Sequence, residues 1–194
     1  MAVGIKYDLK PKEVLPELCR FDTVFRRSGG YNLVVDNLLR TGLKRLPVLA
    51  PLQIDEATRK AYPVLNIRVV EEVKATDKEI KVTKGSPVYI GMFLGTGKAG
   101  AKVIGIEHKE MYDILSIEKE GVAAAKDSIL FEASAEGGTK PKYTANHLNY
   151  ASTLIEVGAT VTAIAQAYEV EERKLSIPLT DKDKEGLTSR FLFK

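Results

Sequence analysis

From Tyr62 onward the sequence alternates short β-branched runs with turn residues, and this pattern constrains the fold more than any other feature. Six runs are typical of short strands, namely residues 64–70, 79–83, 88–94, 103–106, 112–117 and 128–131. A longer strand is predicted over residues 159–170. It is followed by a short helix from 181 to 187 with Thr180 as its cap, and by a terminal strand over 190–193. Many short strands and few helices predict a mainly β fold, either a small β-sandwich or a β-barrel.

The first third of the chain has a different character. Between Lys10 and Pro63 it contains five prolines, the pair Gly29-Gly30 and most of the arginines. Proline lacks an amide donor and holds its predecessor in an extended geometry. We therefore expect two regions: an extended, partly helical N-terminal docking arm over residues 1–61 and a β-rich domain over 62–194. Residues 31–41 are the helix candidate within the arm, although Val34-Val35 favours a strand almost equally.

Composition excludes several classes of protein. The apolar runs are only a few residues long, whereas a membrane-spanning helix needs about 20. The first residues lack the basic and apolar segments of a signal peptide, so we expect synthesis in a cytoplasm. A lone cysteine, Cys19, cannot form an internal disulfide. A net charge of +3 is small for a protein that binds nucleic acid directly, and we expect no such contact.

One glycine-rich segment matches the sequence motif of nucleotide-binding loops. Residues 95–100 match G-x-G-x-x-G, but that mechanism needs a helix to begin at the glycines. A strand-like run follows instead, so the segment is interpreted as a hairpin turn.

Candidate metal ligands and nucleophiles are few. Glu107, His108, Glu110 and Asp113 are close in sequence, but neither strand nor helix geometry points all four side chains at one place. His147 has no evident partner, and both histidines are interpreted as surface or turn residues. No serine lies in a glycine-flanked elbow that would expose it as a nucleophile. We therefore expect no catalytic, cofactor-binding or metal-binding residues.

The order of elements carries a resemblance to a known class of proteins. It comprises Val82-Thr83-Lys84-Gly85-Ser86-Pro87-Val88-Tyr89-Ile90-Gly91, a glycine turn, the strand from Gly158 to Ile164, and Lys174-Leu175-Ser176-Ile177-Pro178-Leu179-Thr180. Residues 62–194 are similar in this order to the auxiliary capsid, head-decoration and head-fibre proteins of tailed bacteriophages, especially crAss-like and other Bacteroidales phages.

The resemblance implies a non-enzymatic virion structural protein without cofactors. Such a protein would bind the major capsid protein lattice on the capsid surface, stabilise the head, and be assembled in the host cytoplasm. It implies a homo-oligomer, with a trimer favoured and a dimer possible, and no membrane contact. Two other functions stay open. One is a ligand- or carbohydrate-binding β module using Tyr143, Tyr150 and Tyr168, and the other is an enzyme with an unrecognised site.

Overall fold

The computed structural model describes residues 18–194. The strands of this part of the chain are β1 (Arg20–Arg26), β2 (Tyr31–Leu33), β3 (Arg45–Leu46), β4 (Pro51–Asp55), β5 (Lys60–Pro63), β6 (Asn66–Arg68), β7 (Glu79–Thr83), β8 (Phe93–Gly95), β9 (Gly100–His108), β10 (Tyr112–Ile117), β11 (Ile129–Glu132), β12 (His147–Asn149), β13 (Thr153–Leu154), β14 (Thr160–Val161), β15 (Ala163–Val170) and β16 (Phe191–Phe193). One α-helix, α1, covers Asp181–Leu187, and 3-10 turns cover Leu38–Thr41, Glu172–Lys174 and Thr188–Arg190. The prediction of a mainly β protein is confirmed.

The larger sheet curls back on itself. Its strands follow the order β1-β15-β12-β4-β5-β2-β14, and β16 lies parallel to β15. Neighbours along this path are antiparallel, except that β2 and β5 are parallel. Only Thr162 separates β14 from β15, so the last strand of the path continues into a strand near its beginning. Among the described residues, β1 and β14 are the two end strands of this path, and β1 pairs with β15 alone.

The smaller sheet also curls. Its antiparallel strands follow the order β6-β11-β8-β9-β10-β7. A bridge between Val69 and Val82 joins the two ends, and the Val70 N–H donates to the Lys81 carbonyl at 2.9 Å. A separate two-stranded sheet pairs β3 with β13.

The two curled sheets share an apolar core. One cluster of buried side chains contains Leu52 and Ala61 from the larger sheet together with Ile67 and Leu115 from the smaller one. Burial of each large aliphatic side chain contributes about 1.5–3 kcal/mol, so this shared cluster holds the sheets against each other.

Helix α1 closes a second apolar cluster, in which Leu187 packs with Leu148, Ile164 and Phe191. The predicted helix and its cap are confirmed, because the Asp183 N–H donates to the Thr180 hydroxyl and the Asp183 carboxylate accepts from the Thr180 N–H. No helix within residues 18–194 has the length and apolar character that crossing a membrane requires.

The structure differs from the predicted division at residue 61. That boundary falls inside β5, and β1, β2, β4 and β5 pair within the same sheet as β12, β14 and β15. Residues 20–63 are therefore part of the folded body rather than a separate arm, because β1, β2 and β4 each pair with a strand more than 80 residues away in sequence. The rest of the predicted arm, residues 1–17, lies outside the described residues.

Local predictions vary in accuracy. The strands over 79–83 and 112–117 have the predicted bounds, whereas the predicted run 88–94 forms a strand only from Phe93. Gly91 has φ = +94°, and the Met92 N–H donates to the Tyr89 carbonyl, so the chain turns there instead of extending. The predicted helix over 31–41 is wrong, because Tyr31–Leu33 is a strand and only Leu38–Thr41 forms a 3-10 turn.

Candidate functional site

A cleft of about 550 Å³ opens at one end of the smaller curled sheet. The loop after β7, the β9–β10 hairpin and the 3-10 turn at Leu38–Thr41 form its walls. The β9–β10 register shifts between the pairs Ser116–Gly105 and Ile117–Val103, which leaves Ile104 as an extra residue in β9. Such a bulge re-aims the side chains that follow it, and here those side chains are Ile106 and His108 of the cleft.

The hairpin brings His108 against Asp113. The two residues are a cross-strand pair, and His108 Nδ1 lies 2.8 Å from an Asp113 carboxylate oxygen. The second carboxylate oxygen accepts from the Gly85 N–H at 2.9 Å. The Asp113 side chain is only 4% exposed, whereas the His108 side chain is 74% exposed. Asp113 thus orients a solvent-facing imidazole, which is the arrangement that a general base requires.

A nucleophile does not meet this pair. Ser86 lines the same cleft, but its hydroxyl donates to the Thr83 carbonyl at 2.6 Å and accepts from the Thr83 hydroxyl at 2.9 Å. No hydrogen bond in the described part of the chain joins Ser86 to His108. The bonds of Ser86 are those that close the turn after β7.

The rim of the cleft is apolar and carries a fixed cation. The Arg40 guanidinium lies 4.4 Å from the centroid of the Tyr89 ring and donates to the Ile90 carbonyl at 2.7 Å. Ile90 itself is 57% exposed, and Leu39 and Ile104 are similarly open to solvent. Stacking on a ring while bonded to a carbonyl orders the arginine before any partner arrives.

The remaining candidate metal ligands do not converge. Glu107 pairs with Lys109, and Glu110 is exposed at the tip of the hairpin. Within residues 18–194 no group of three His, Cys, Asp or Glu side chains has the proximity to hold a metal ion. The His108–Asp113 contact was not predicted from the sequence, because it depends on the register of the hairpin. The two strands predicted on either side of residues 107–111 do indicate a hairpin at this position.

The glycine-rich segment is a hairpin, as predicted. Residues 96–99 connect β8 to β9, with the Thr96 N–H donating to the Ala99 carbonyl at 2.9 Å. A Cβ on Gly100 would overlap the Gly138 backbone, so close backbone packing accounts for that glycine.

The prediction of a surface position is wrong for His147. It lies buried in β12, where its Nδ1–H donates to the Asn146 side-chain oxygen at 2.9 Å and its Nε2 has no partner among the described atoms. Burial, and next the charges of Arg190 and Arg27, lower the pKa of His147 to about 4. Cys19 is also buried, which raises the pKa of its thiol and disfavours the nucleophilic thiolate.

A buried carboxylate that sequence reasoning did not find lies behind the cleft. One oxygen of Glu132 accepts from the Tyr89 hydroxyl at 2.6 Å, the Lys142 ammonium at 2.8 Å and the Asn37 amide at 3.0 Å. Burial, followed by the bond to Glu132, raises the pKa of Tyr89 far above its usual range. These bonds tie the turn before Leu38 to both β11 and the cleft wall, so Glu132 positions structure rather than a ligand.

The three tyrosines considered for carbohydrate binding are half-buried. Tyr143 stacks on Tyr62 with 4.8 Å between ring centroids, and Arg26 covers the Tyr150 ring at 4.7 Å. Tyr168 is in β15 beside the edge strand β1. They do not form one open aromatic platform.

The open edge of the larger sheet carries a second apolar surface. Within residues 18–194, β15 is the one strand that pairs with β1, and the Phe21 and Phe25 side chains of β1 are 51% and 61% exposed. Arg20 and Arg26 lie on the same strand. We call this surface the β1 edge.

Comparisons with protein-family models, curated proteins and solved structures found no match to this chain.

Proposed function

We propose that this chain is a non-enzymatic virion structural protein, an auxiliary, head-decoration or head-fibre protein that binds the major capsid protein lattice and stabilises the head. The observation that carries the proposal is the β1 edge, where the strand pairs with β15 alone among the described strands and where Phe21 and Phe25 are exposed. The order of elements, which resembles that of phage decoration proteins, supports the capsid lattice as the partner. The protein would be located on the capsid surface of the virion, after the virion has been assembled in the host cytoplasm.

An edge strand with exposed aromatics suits lattice binding for two reasons. Its free backbone groups can pair with a strand of a shell subunit, which supplies affinity through main-chain hydrogen bonds. Burial of the exposed half of each phenylalanine adds about 1 kcal/mol. Arginine on the same strand matches the enrichment of aromatics and arginine at protein interfaces.

Stabilisation of the head follows from this binding by linkage. A protein that binds the assembled shell but not its separated subunits shifts the equilibrium toward the shell. Many copies then act on one lattice, so a modest affinity per copy is sufficient. The proposal needs no membrane, cofactor or nucleic-acid contact.

The test measures binding to empty shells assembled from the major capsid protein encoded by the same genome. In co-sedimentation, the double variant Phe21→Ser/Phe25→Ser is expected to bind at least tenfold more weakly than the native chain. Leu192→Ser is the matched control, since Leu192 is 51% exposed but lies on β16. It is expected to bind normally.

Two results would oppose the proposal. One is a native chain that does not sediment with shells and is missing from purified virions by mass spectrometry. The other is equal binding by the double variant and the control, which would remove the β1 edge from the interface.

A further inference from the structure

The cleft and a nearby loop have complementary surfaces. The loop follows β13, and its Val157 side chain is 85% exposed while Leu154 is 45% exposed. Glu156, between them, is exposed as well. We call residues 154–158 the aliphatic loop.

The aliphatic loop has a defined conformation. The Ala159 N–H donates to the Glu156 carbonyl at 3.1 Å, and Gly158 has φ = +85°. These are the features of a turn in which Val157 takes the second position and glycine the third, where a positive φ is required. Val157 is therefore held outward by the backbone, so little conformational entropy is lost when it is buried by a partner.

The cleft offers the matching surface. Ile90 lines the cleft and is 57% exposed. Three further apolar side chains that are more than half exposed do not line it but lie on the 3-10 turn and the β9–β10 hairpin that form its walls, namely Leu39, Ile104 and Met111. Together with Ile90 they are four of the nine large apolar side chains found exposed in residues 18–194, so apolar exposure concentrates at this end of the smaller sheet. Arg40 supplies the ordered positive charge that a carboxylate beside an apolar side chain would meet.

Cleft and loop are neighbours on the surface of one molecule. Leu43 lines the cleft, and the carbonyl of the next residue, Lys44, accepts the Ile155 N–H at 3.1 Å. When a projection and its complementary hollow lie side by side, a two-fold axis between them places each projection in the hollow of the other copy. Both contacts then form at once, and no unfilled hollow remains to extend the assembly.

We propose that two copies of this chain associate in this way. The aliphatic loop of each copy enters the cleft of the other, Val157 packs against the apolar rim, and the Glu156 carboxylate pairs with Arg40. The inference concerns the free protein and does not depend on the identity of the shell, since it uses a surface separate from the β1 edge. It specifies a dimer, whereas the resemblance to decoration proteins favours a trimer.

Sedimentation equilibrium of the purified full chain, over a range of concentrations, tests the proposal. The native chain is expected to show a monomer–dimer equilibrium. Val157→Asp is expected to raise the dimer Kd at least tenfold, because it places a charge in an apolar contact without touching the interior of the fold. Leu192→Ser is expected to leave the Kd unchanged, and circular dichroism verifies that each variant is folded.

Charge exchange gives an independent test of the salt bridge. Arg40→Glu and Glu156→Arg are each expected to weaken the dimer, and the double variant is expected to recover most of the native affinity. A second protein that entered the cleft instead would leave the native chain monomeric at all concentrations, and that result overturns the proposal. A trimer or larger ring would refute the two-fold arrangement, and a double variant no better than the singles would refute the pairing of Glu156 with Arg40.

Discussion

Replacing Asp183 by asparagine removes one charge from the most heavily bonded buried carboxylate at helix α1. Asp183 is 2% exposed. One of its carboxylate oxygens accepts from the Ala145 N–H at 2.8 Å. The other accepts from the Asn66 amide at 2.8 Å, the Thr180 N–H at 3.0 Å and the Thr180 hydroxyl at 2.6 Å. The side chain thus joins α1 to β6 and to the segment before β12.

The expected loss of stability follows from what happens to these four hydrogen bonds. Asparagine keeps one acceptor oxygen, which is best placed where three donors meet, so its NH₂ group then faces the Ala145 N–H. A buried N–H left without an acceptor costs about 1–3 kcal/mol. The three remaining bonds lose their charged acceptor, which weakens each by about 1 kcal/mol, while removing a buried charge offsets part of the loss. We expect Asp183→Asn to lower the free energy of unfolding by about 3 kcal/mol.

Urea denaturation followed by far-UV circular dichroism measures this difference, and tyrosine fluorescence is a second probe because the chain has no tryptophan. For a chain of this length the loss corresponds to a fall in Tm of about 6–12 °C. Asp181→Asn is the matched control, as Asp181 lies in the same helical turn but its side chain is 99% exposed. It is expected to change stability by no more than about 0.5 kcal/mol. If the two variants proved equally stable, the assignment of Asp183 as a structural link would be refuted.

Two other substitutions test backbone arguments by the same assay. Gly100→Ala is expected to destabilise the protein by about 2–3 kcal/mol, because its Cβ would overlap backbone atoms of Gly138 and Leu94, whereas Gly137→Ala meets no atom within 4 Å and is expected to be neutral; equal effects would contradict the steric account. Thr188→Gly is expected to stabilise by about 1 kcal/mol, since Thr188 has φ = +61° and ψ = −172° in a region that suits glycine; no gain relative to Thr188→Ala would contradict the assigned strain.

Local patterns sufficed for elements whose conformation depends on nearby residues. The strands over 79–83 and 112–117 and the Thr180 cap were predictable, because β-branched alternation and capping chemistry act within a few positions. The placement of β1 was not. Arg20 pairs with Tyr168, and the residues around β1, which include several prolines, do not indicate a pairing partner so distant in sequence.

The candidate site could not be predicted from local sequence patterns either. His108 and Asp113 are five residues apart, and only the register of the hairpin makes them face each other. Arg40 reaches the same cleft through a 3-10 turn whose position depends on the buried Glu132. Exposure of Phe25, Ile90 and Val157 could not be foreseen either, because an apolar residue in a short strand or loop is normally expected to face inward.

The buried position of His147 has a measurable consequence for stability against pH. Its pKa of about 4 in the folded protein lies below the unfolded value of about 6.5. The unfolded chain therefore binds the proton more tightly, so this residue destabilises the fold as pH falls from about 6.5 toward 4 and has no effect above that window. At pH 5 the loss in the free energy of unfolding amounts to about 2 kcal/mol relative to pH 7.5.

We expect His147→Leu to remove that part of the pH dependence, while His108→Asn, at an exposed position, leaves it in place. The measurement is urea denaturation at pH 7.5 and 5. Parallel losses in native and His147→Leu proteins would show that the imidazole is not the group whose protonation opposes folding.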